Sequence, residues 1–236
     1  MLNRLRALVF DFDGVIADSE PLHLRAFQQT LAEEGVGLGR DEYYTRYLGF
    51  DDGDVFRAIA AARGWTLDER AVDALAARKA ERYQALVAGI PVVFPAAARR
   101  IVEWAAQVPL AIASGALRSE IEAIVRTGGL AACFAVIVAA GETPRGKPAP
   151  DPYLRALELL NAEGSRGGGT APAIEIAPSR VVVIEDSRWG IESAHAAGMP
   201  VVALTTSYPA PELAAADLVA ASLDDLTLDT LDALCG

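Results

Sequence analysis

The sequence predicts an α/β fold: a parallel sheet with an all-helical segment inserted after its first strand. Two observations carry this reading. Short apolar runs recur along the chain, continuously apolar rather than alternating, as strands covered by helices on both faces are. Between the first run and the rest lies a stretch, 20–90, with helical periodicity and no convincing strand.

In chain order, "ALVF" (7–10) is the first strand, and it runs straight into Asp11 and Asp13. "LRAFQQTLAEEG", "DDGDVFRAIAAARG" and "DERAVDALAARKAERYQALVAG" supply the helices of the insertion, bounded by Pro21 and by "GIPVVFP" (89–95). "PLAIAS" (109–114), "FAVIVAA" (134–140), "VVVIED" (181–186) and "VVAL" (201–204) complete the sheet. In "KPAPDPY" (147–153), Pro148 and Pro150 keep the chain extended until Pro152 and Tyr153 open a helix. Ser187 is placed to cap the helix after "VVVIED", with Gly198 near its far end. "NAEGSRGGGTAPAIEIAP" (161–178) reads as a long mobile linker, because its glycines lack the lysine and hydroxyl of a phosphate loop. The expected domains are a core of 1–18 with 91–236 and a helical unit of 19–90.

Bulk properties narrow the function. The chain has 236 residues, 52% of them hydrophobic, which suffices for a full core. A net charge of −11 argues against nucleic acid, whose phosphates want a basic surface. A small phosphorylated ligand remains possible if positive charge is local: a metal ion, a lysine or helix N–H groups. No apolar run approaches the roughly 20 residues of a membrane helix. Cys133 and Cys235 show neither zinc spacing nor a disulfide framework, so a reducing cytoplasm is expected, and a monomer is the default.

Open parallel sheets bind ligands at the carboxyl ends of their strands. By that rule the first strand delivers Asp11 and Asp13, the second Ser114 and Gly115, and the fourth Glu185 and Asp186. The segment after the third carries Lys147. Acid, hydroxyl, lysine and acid thus converge on one sheet edge.

This set resembles the haloacid dehalogenase-like (HAD) superfamily, in its subfamily with a helical cap after the first motif. The matching stretches are "DFDGVIADSEPLH", "ASG" (113–115), "KPAPDPY" and "IEDSRWGIESAHAAGM" (184–199), in the family's order and spanning nearly the whole chain. The β-phosphoglucomutase-like (CbbY-like) branch is the nearest likeness. The resemblance implies a Rossmann-like core, an α-helical cap that excludes water on closing, and a Mg²⁺-dependent phosphatase working through an aspartyl-phosphate.

Under that resemblance Asp11 is the nucleophile, a carboxylate that needs no base to activate it. Asp13 is general acid and then base, a role worth about 10²–10⁴-fold. With the chain extended, Phe12 between them points away, and Gly14 permits the sharp departure from the strand. Asp186 and Asp11 ligate Mg²⁺ with the Asp13 carbonyl and with Glu185, either directly or one shell out. Some members place their second acid at the position of Gly190, so the glycine favours the adjacent Glu185–Asp186 pair. Ser114 and Lys147 bind the phosphoryl group, with Gly115 and Ala116 N–H groups at a helix start as an added cradle.

His23 and Lys79 align with cap residues that handle a sugar phosphate in mutases, the alternative function. Against a mutase stands the loop "GFDDGDVF" (49–56), which puts Asp52 and Val55 where mutases grip a second phosphate. Mutases also continue the second motif with Ser-Lys, whereas this chain has Ala116 and Leu117; Arg118 is the candidate replacement grip. The preferred reading is a phosphatase acting on a small phosphorylated metabolite. A non-catalytic phosphate-binding module is the minor alternative, disfavoured because Asp11, Asp13 and Asp186 are all present.

Overall fold

A computed structural model describes residues 4–48, 50–88, 90–166 and 175–236. These form two compact units, Met1–Asp18 with Val93–Gly236, and Ser19–Val92.

The first unit holds an all-parallel six-stranded sheet: β1 (Ala7–Phe10), β2 (Leu110–Ala113), β3 (Phe134–Val138), β4 (Val181–Glu185), β5 (Val201–Leu204) and β6 (Leu218–Ala220). Their order across the sheet is β3-β2-β1-β4-β5-β6. The order reverses beside β1, which pairs with β2 on one side and β4 on the other, and such a switch point opens a crevice at the strand ends. All residues of β1, β2 and β4 are buried, hence their unbroken apolar runs. Ala7 and Val9 face one core layer with Val183, Tyr153 and Ile191. Phe10 turns to the other face, against Trp104 at a centroid distance of 6.3 Å and Phe134 at 6.1 Å.

The helices of this unit are α5 (Pro95–Ala105), α6 (Arg118–Thr127), α7 (Asp151–Arg166), α8 (Arg188–Ala196) and α9 (Leu228–Leu234). α5 opens with proline at its first position, and α8 is capped by the Ser187 hydroxyl, which accepts from Gly190 N at 3.0 Å. Where the chain leaves and re-enters this unit its two passes are joined. Ala17 bridges Val93 in antiparallel fashion, and Phe94 N donates to Ile16 O at 2.9 Å.

The second unit consists of α1 (Glu20–Glu33), α2 (Arg40–Arg46), α3 (Asp52–Arg63) and α4 (Glu69–Val87). Asp51 and Asp68 cap α3 and α4 by accepting the third-residue N–H at 2.8 Å each. Phe27 of α1 packs edge-on against Phe56 of α3 at 5.2 Å, and α1 also packs along α4.

Four sequence expectations are corrected. β6 was not anticipated, because three residues are too few to show a period. The linker reading fails over 161–166, which continue α7; its glycines at 167–169 lie outside the described residues. Asn161 fastens the returning chain, accepting from Ile176 N at 2.8 Å and donating to Ile176 O at 3.3 Å. Asp52 and Val55 lie in the first turn of α3 rather than in a loop, and Gly49 is outside the described residues. Finally, the chain does not stay extended after β1. The Phe12 carbonyl accepts from Val15, Ile16 and Ala17 N–H groups, curling 12–17 into a tight turn with the Phe12 ring fully buried.

Candidate active site

β1 and β4 are adjacent with Phe10 opposite Ile184, so the next residues, Asp11 and Glu185, come level at the strand ends. Asp11 N donates to Ile184 O at 2.9 Å, extending the ladder by one residue. Asp186 follows on the same edge. Among the described residues, Asp11, Glu185 and Asp186 form a buried acidic group whose ligand oxygens lie within 4.8 Å of one another.

Lys147 enters from the segment before α7. Its ammonium donates to Asp11 Oδ1 at 2.5 Å and to Glu185 Oε1 at 2.7 Å. Burial pushes Asp11 up to about 7, with Glu185 and Asp13 adding to the rise and the Lys147 charge opposing it. Burial acting alone would lower Lys147, but Asp11 and Glu185 hold it well above its ordinary value. Glu185 is pushed up by burial and pulled down further by Lys147 and by hydrogen bonds, ending below its ordinary value.

Glu185 is fully engaged. Oε1 accepts from Lys147 and from the Tyr153 hydroxyl at 2.8 Å. Oε2 accepts from Asp186 N, Ser187 N and Ser187 Oγ, each at 2.9 Å, and so sits over the first turn of α8. This explains Gly190: a Cβ there would fall 1.7 Å from Glu185 Oε1. The absent side chain at 190 leaves the room that the Glu185 carboxylate fills.

Asp186 is held from the loop after β5. The Ser207 hydroxyl donates to Asp186 Oδ2, and Thr206 Oγ1 donates to Gly14 O at 2.6 Å. Gly14 adopts φ +76°, and a Cβ there would land 1.8 Å from Asp186 Oδ2. Glycine is therefore required both for the turn and for the approach of the acid.

Asp13 lies partly buried in the turn, its backbone bridging Ala17. Ser114 follows β2, with its N–H bound to Val138 O at 3.0 Å. Its Oγ accepts from Ala116 N at 3.1 Å, which leaves the hydroxyl proton to donate elsewhere. Gly115 and Ala116 precede α6, whose N-cap is Leu117, and the Ala116 N–H is already taken by Ser114. Arg118 forms a two-pronged pair with Glu142 at 2.6 and 2.8 Å and also donates to Ile137 O, so a substrate would have to displace Glu142 to recruit it.

His23 and Lys79 meet within the helical unit. Lys79, fully buried, donates to His23 Nδ1 and to Asp52 Oδ1, both at 2.7 Å. An ammonium has only hydrogens to offer, so His23 Nδ1 accepts and the ring proton sits on Nε2. The His23 ring stacks on Tyr83 at 4.0 Å.

Tyr153, Thr206 and Ser207 are the site residues that the sequence did not disclose. Tyr153 stood out only as a helix opener. Thr206 and Ser207 look like any hydroxyls in a turn until β5 is placed beside β4.

Oxygen-only donors suit a hard divalent cation such as Mg²⁺. The close approach of Gly14 and Gly190 to two of the three acids shows the cluster to be built rather than incidental.

Residues 5–198 match the model of the haloacid dehalogenase-like hydrolases. Protein CbbY (plasmid) of Cupriavidus necator is 35% identical over 222 residues, covering 88% of this chain and 81% of that one. Fructose-1-phosphate phosphatase YqaB of Escherichia coli is 29% identical, covering 86% and 97%. A crystal structure of a CbbY variant from Rhodobacter sphaeroides, in complex with xylulose-1,5-bisphosphate, superposes with a TM-score of 0.80 at 27% identity, covering 94% and 96%.

Proposed function

The chain belongs to the haloacid dehalogenase-like hydrolase family, and from that premise we propose that it is a Mg²⁺-dependent phosphatase of a small phosphate monoester, with a phosphorylated sugar as the favoured class. One observation carries the reading: a partly buried lysine bridging two of three clustered, buried carboxylates at the switch point of the sheet. The names of two relatives, a fructose-1-phosphate phosphatase and a protein crystallised with a sugar bisphosphate, support a sugar phosphate.

Asp11 and Asp186 would hold the cation together with the Asp13 carbonyl that the family likeness assigns, and Glu185, its two oxygens already engaged, would stand one shell out. When bound, Mg²⁺ supplies charge that offsets repulsion between the anionic nucleophile and its anionic target. Asp11 attacks phosphorus, forming an aspartyl-phosphate as the ester P–O bond breaks. Asp13 gives its proton to the leaving oxygen, then takes one from the water that releases phosphate and restores Asp11. Lys147 and the Ser114 hydroxyl bind the phosphoryl oxygens.

A mutase must also grip a second phosphate. Lys79, the buried cation of the helical unit, is already bonded to Asp52, which weighs against that alternative.

Release of phosphate from p-nitrophenyl phosphate with Mg²⁺, and its loss with EDTA, tests the proposal; no Mg²⁺-dependent release would refute it. If β-glucose 1-phosphate primed with bisphosphate gives glucose 6-phosphate rather than free phosphate, the mutase reading replaces it.

The Ser207 contact carries its own expectation. Ser207→Ala removes the hydroxyl that orients Asp186, and losses of this kind weaken metal affinity about 10-fold or more. Calorimetric titration of the apo protein with Mg²⁺ should show the weakening, with the folded state intact by circular dichroism.

A further inference from the structure

Tyr153 lies at the start of α7 with no exposed surface, packed among Val9, Val183 and Ile191. Phenylalanine would fill that space equally well, so packing does not account for the hydroxyl. A buried tyrosine hydroxyl needs a partner, and this one finds Glu185 Oε1 at 2.8 Å rather than a backbone carbonyl. The same oxygen accepts from Lys147 at 2.7 Å, and the Lys147 ammonium lies 4.8 Å from the centre of the Tyr153 ring. Tyr153 therefore touches both members of the Lys147–Glu185 pair, one through its hydroxyl and one through its ring face.

We propose that Tyr153 is a positioning residue: by sharing Glu185 Oε1 with Lys147, it keeps the ammonium from being fully claimed by Glu185 and available to a phosphoryl group beside Asp11. The physical basis is competition for one acceptor. Two donors on one carboxylate oxygen each hold it less tightly than one donor would, and the effect is larger where water is excluded. Without the hydroxyl, Glu185 Oε1 is left to Lys147, which moves toward it and away from the Asp11 side. The ring has a second part, since its face carries the ammonium from below and limits the positions Lys147 can take. The assignment rests on the phosphatase reading insofar as Lys147 is the anion-binding group.

The test is Tyr153→Phe, which keeps the ring and deletes the hydroxyl. With saturating Mg²⁺, the dissociation constant of inorganic phosphate by calorimetry and KM for p-nitrophenyl phosphate should both rise about 3- to 10-fold. The kcat should fall by a smaller factor than KM rises, and the thermal midpoint should stay close to the parent's. Tyr153→Leu, which also loses the ring face, should weaken phosphate binding further. Unchanged phosphate affinity and KM in Tyr153→Phe would overturn the assignment and leave the phosphatase reading standing. A fall in kcat alone would overturn it too. If the parent hydrolyses no ester yet phosphate binding weakens in Tyr153→Phe, the phosphatase reading fails and the assignment holds.

Discussion

Asp11→Asn is expected to lower Mg²⁺-dependent ester hydrolysis on the order of a thousandfold or more while leaving the protein folded. The amide keeps the shape of the carboxylate but cannot form an acyl phosphate, so no parallel route remains. A stability readout separates this from unfolding. In the metal-free protein, burial lifts Asp11 from its ordinary 3.8 to about 7, so the folded state binds its proton more tightly than the unfolded state. Such a group stabilises fully below pH 4, and its contribution is lost as pH rises through 7. Urea unfolding in a chelator should therefore show the parent weakening between pH 5 and pH 8. The asparagine variant should weaken less, because it has nothing to titrate there. Equal pH dependence in both proteins would refute the burial argument, and equal activity would refute the nucleophile.

Lys147→Met should be damaging in both stability and activity. It leaves Asp11 and Glu185 buried and facing one another without their shared cation. Breaking one side of a buried ion network costs about 3–5 kcal/mol, measurable as a drop in the urea midpoint. Asp11, already raised, loses the charge that opposes the rise and becomes protonated at neutral pH, so turnover should fall at least about a hundredfold. Adding Glu185→Gln removes one of the two uncompensated carboxylates. The double variant should regain stability without regaining activity. A double variant no more stable than the single one would mean that carboxylate repulsion is not what Lys147 relieves.

The residues most legible in sequence were those at strand ends. Asp11, Glu185 and Asp186 follow unbroken apolar runs, and once those runs are strands in one parallel sheet their acids must share an edge. Lys147 was legible through its prolines and its place in the family motif. What escaped depends on contacts between distant segments. Nothing in "TTSYP" marks Thr206 and Ser207 as partners of Gly14 and Asp186, which lie far away in the chain. Phe12 was misjudged because its carbonyl gathers three N–H groups, a backbone event with no side-chain signature. The end of α7 was misread because Gly164 and the glycines beyond it look like punctuation, whereas helix formers before them carry the helix to Arg166. In sequence Gly190 marks only the lack of an acid at that position, and the structure supplies the physical reason: the space belongs to Glu185.

The bridge between Ala17 and Val93 has a consequence for how such proteins diversify. The excursion from 19 to 92 begins and ends at two neighbouring backbone segments that are bonded to each other within the sheet-bearing unit. Closing that gap needs only a short turn, and lengthening the excursion adds little loop entropy once its ends are pinned. The clustered acids lie on the pinned side of this junction, and Lys147 and Ser207, which bond to them, lie in the same unit. Helical excursions of other lengths and compositions can thus be exchanged at this one point, as interchangeable parts, without re-solving the placement of the chemistry.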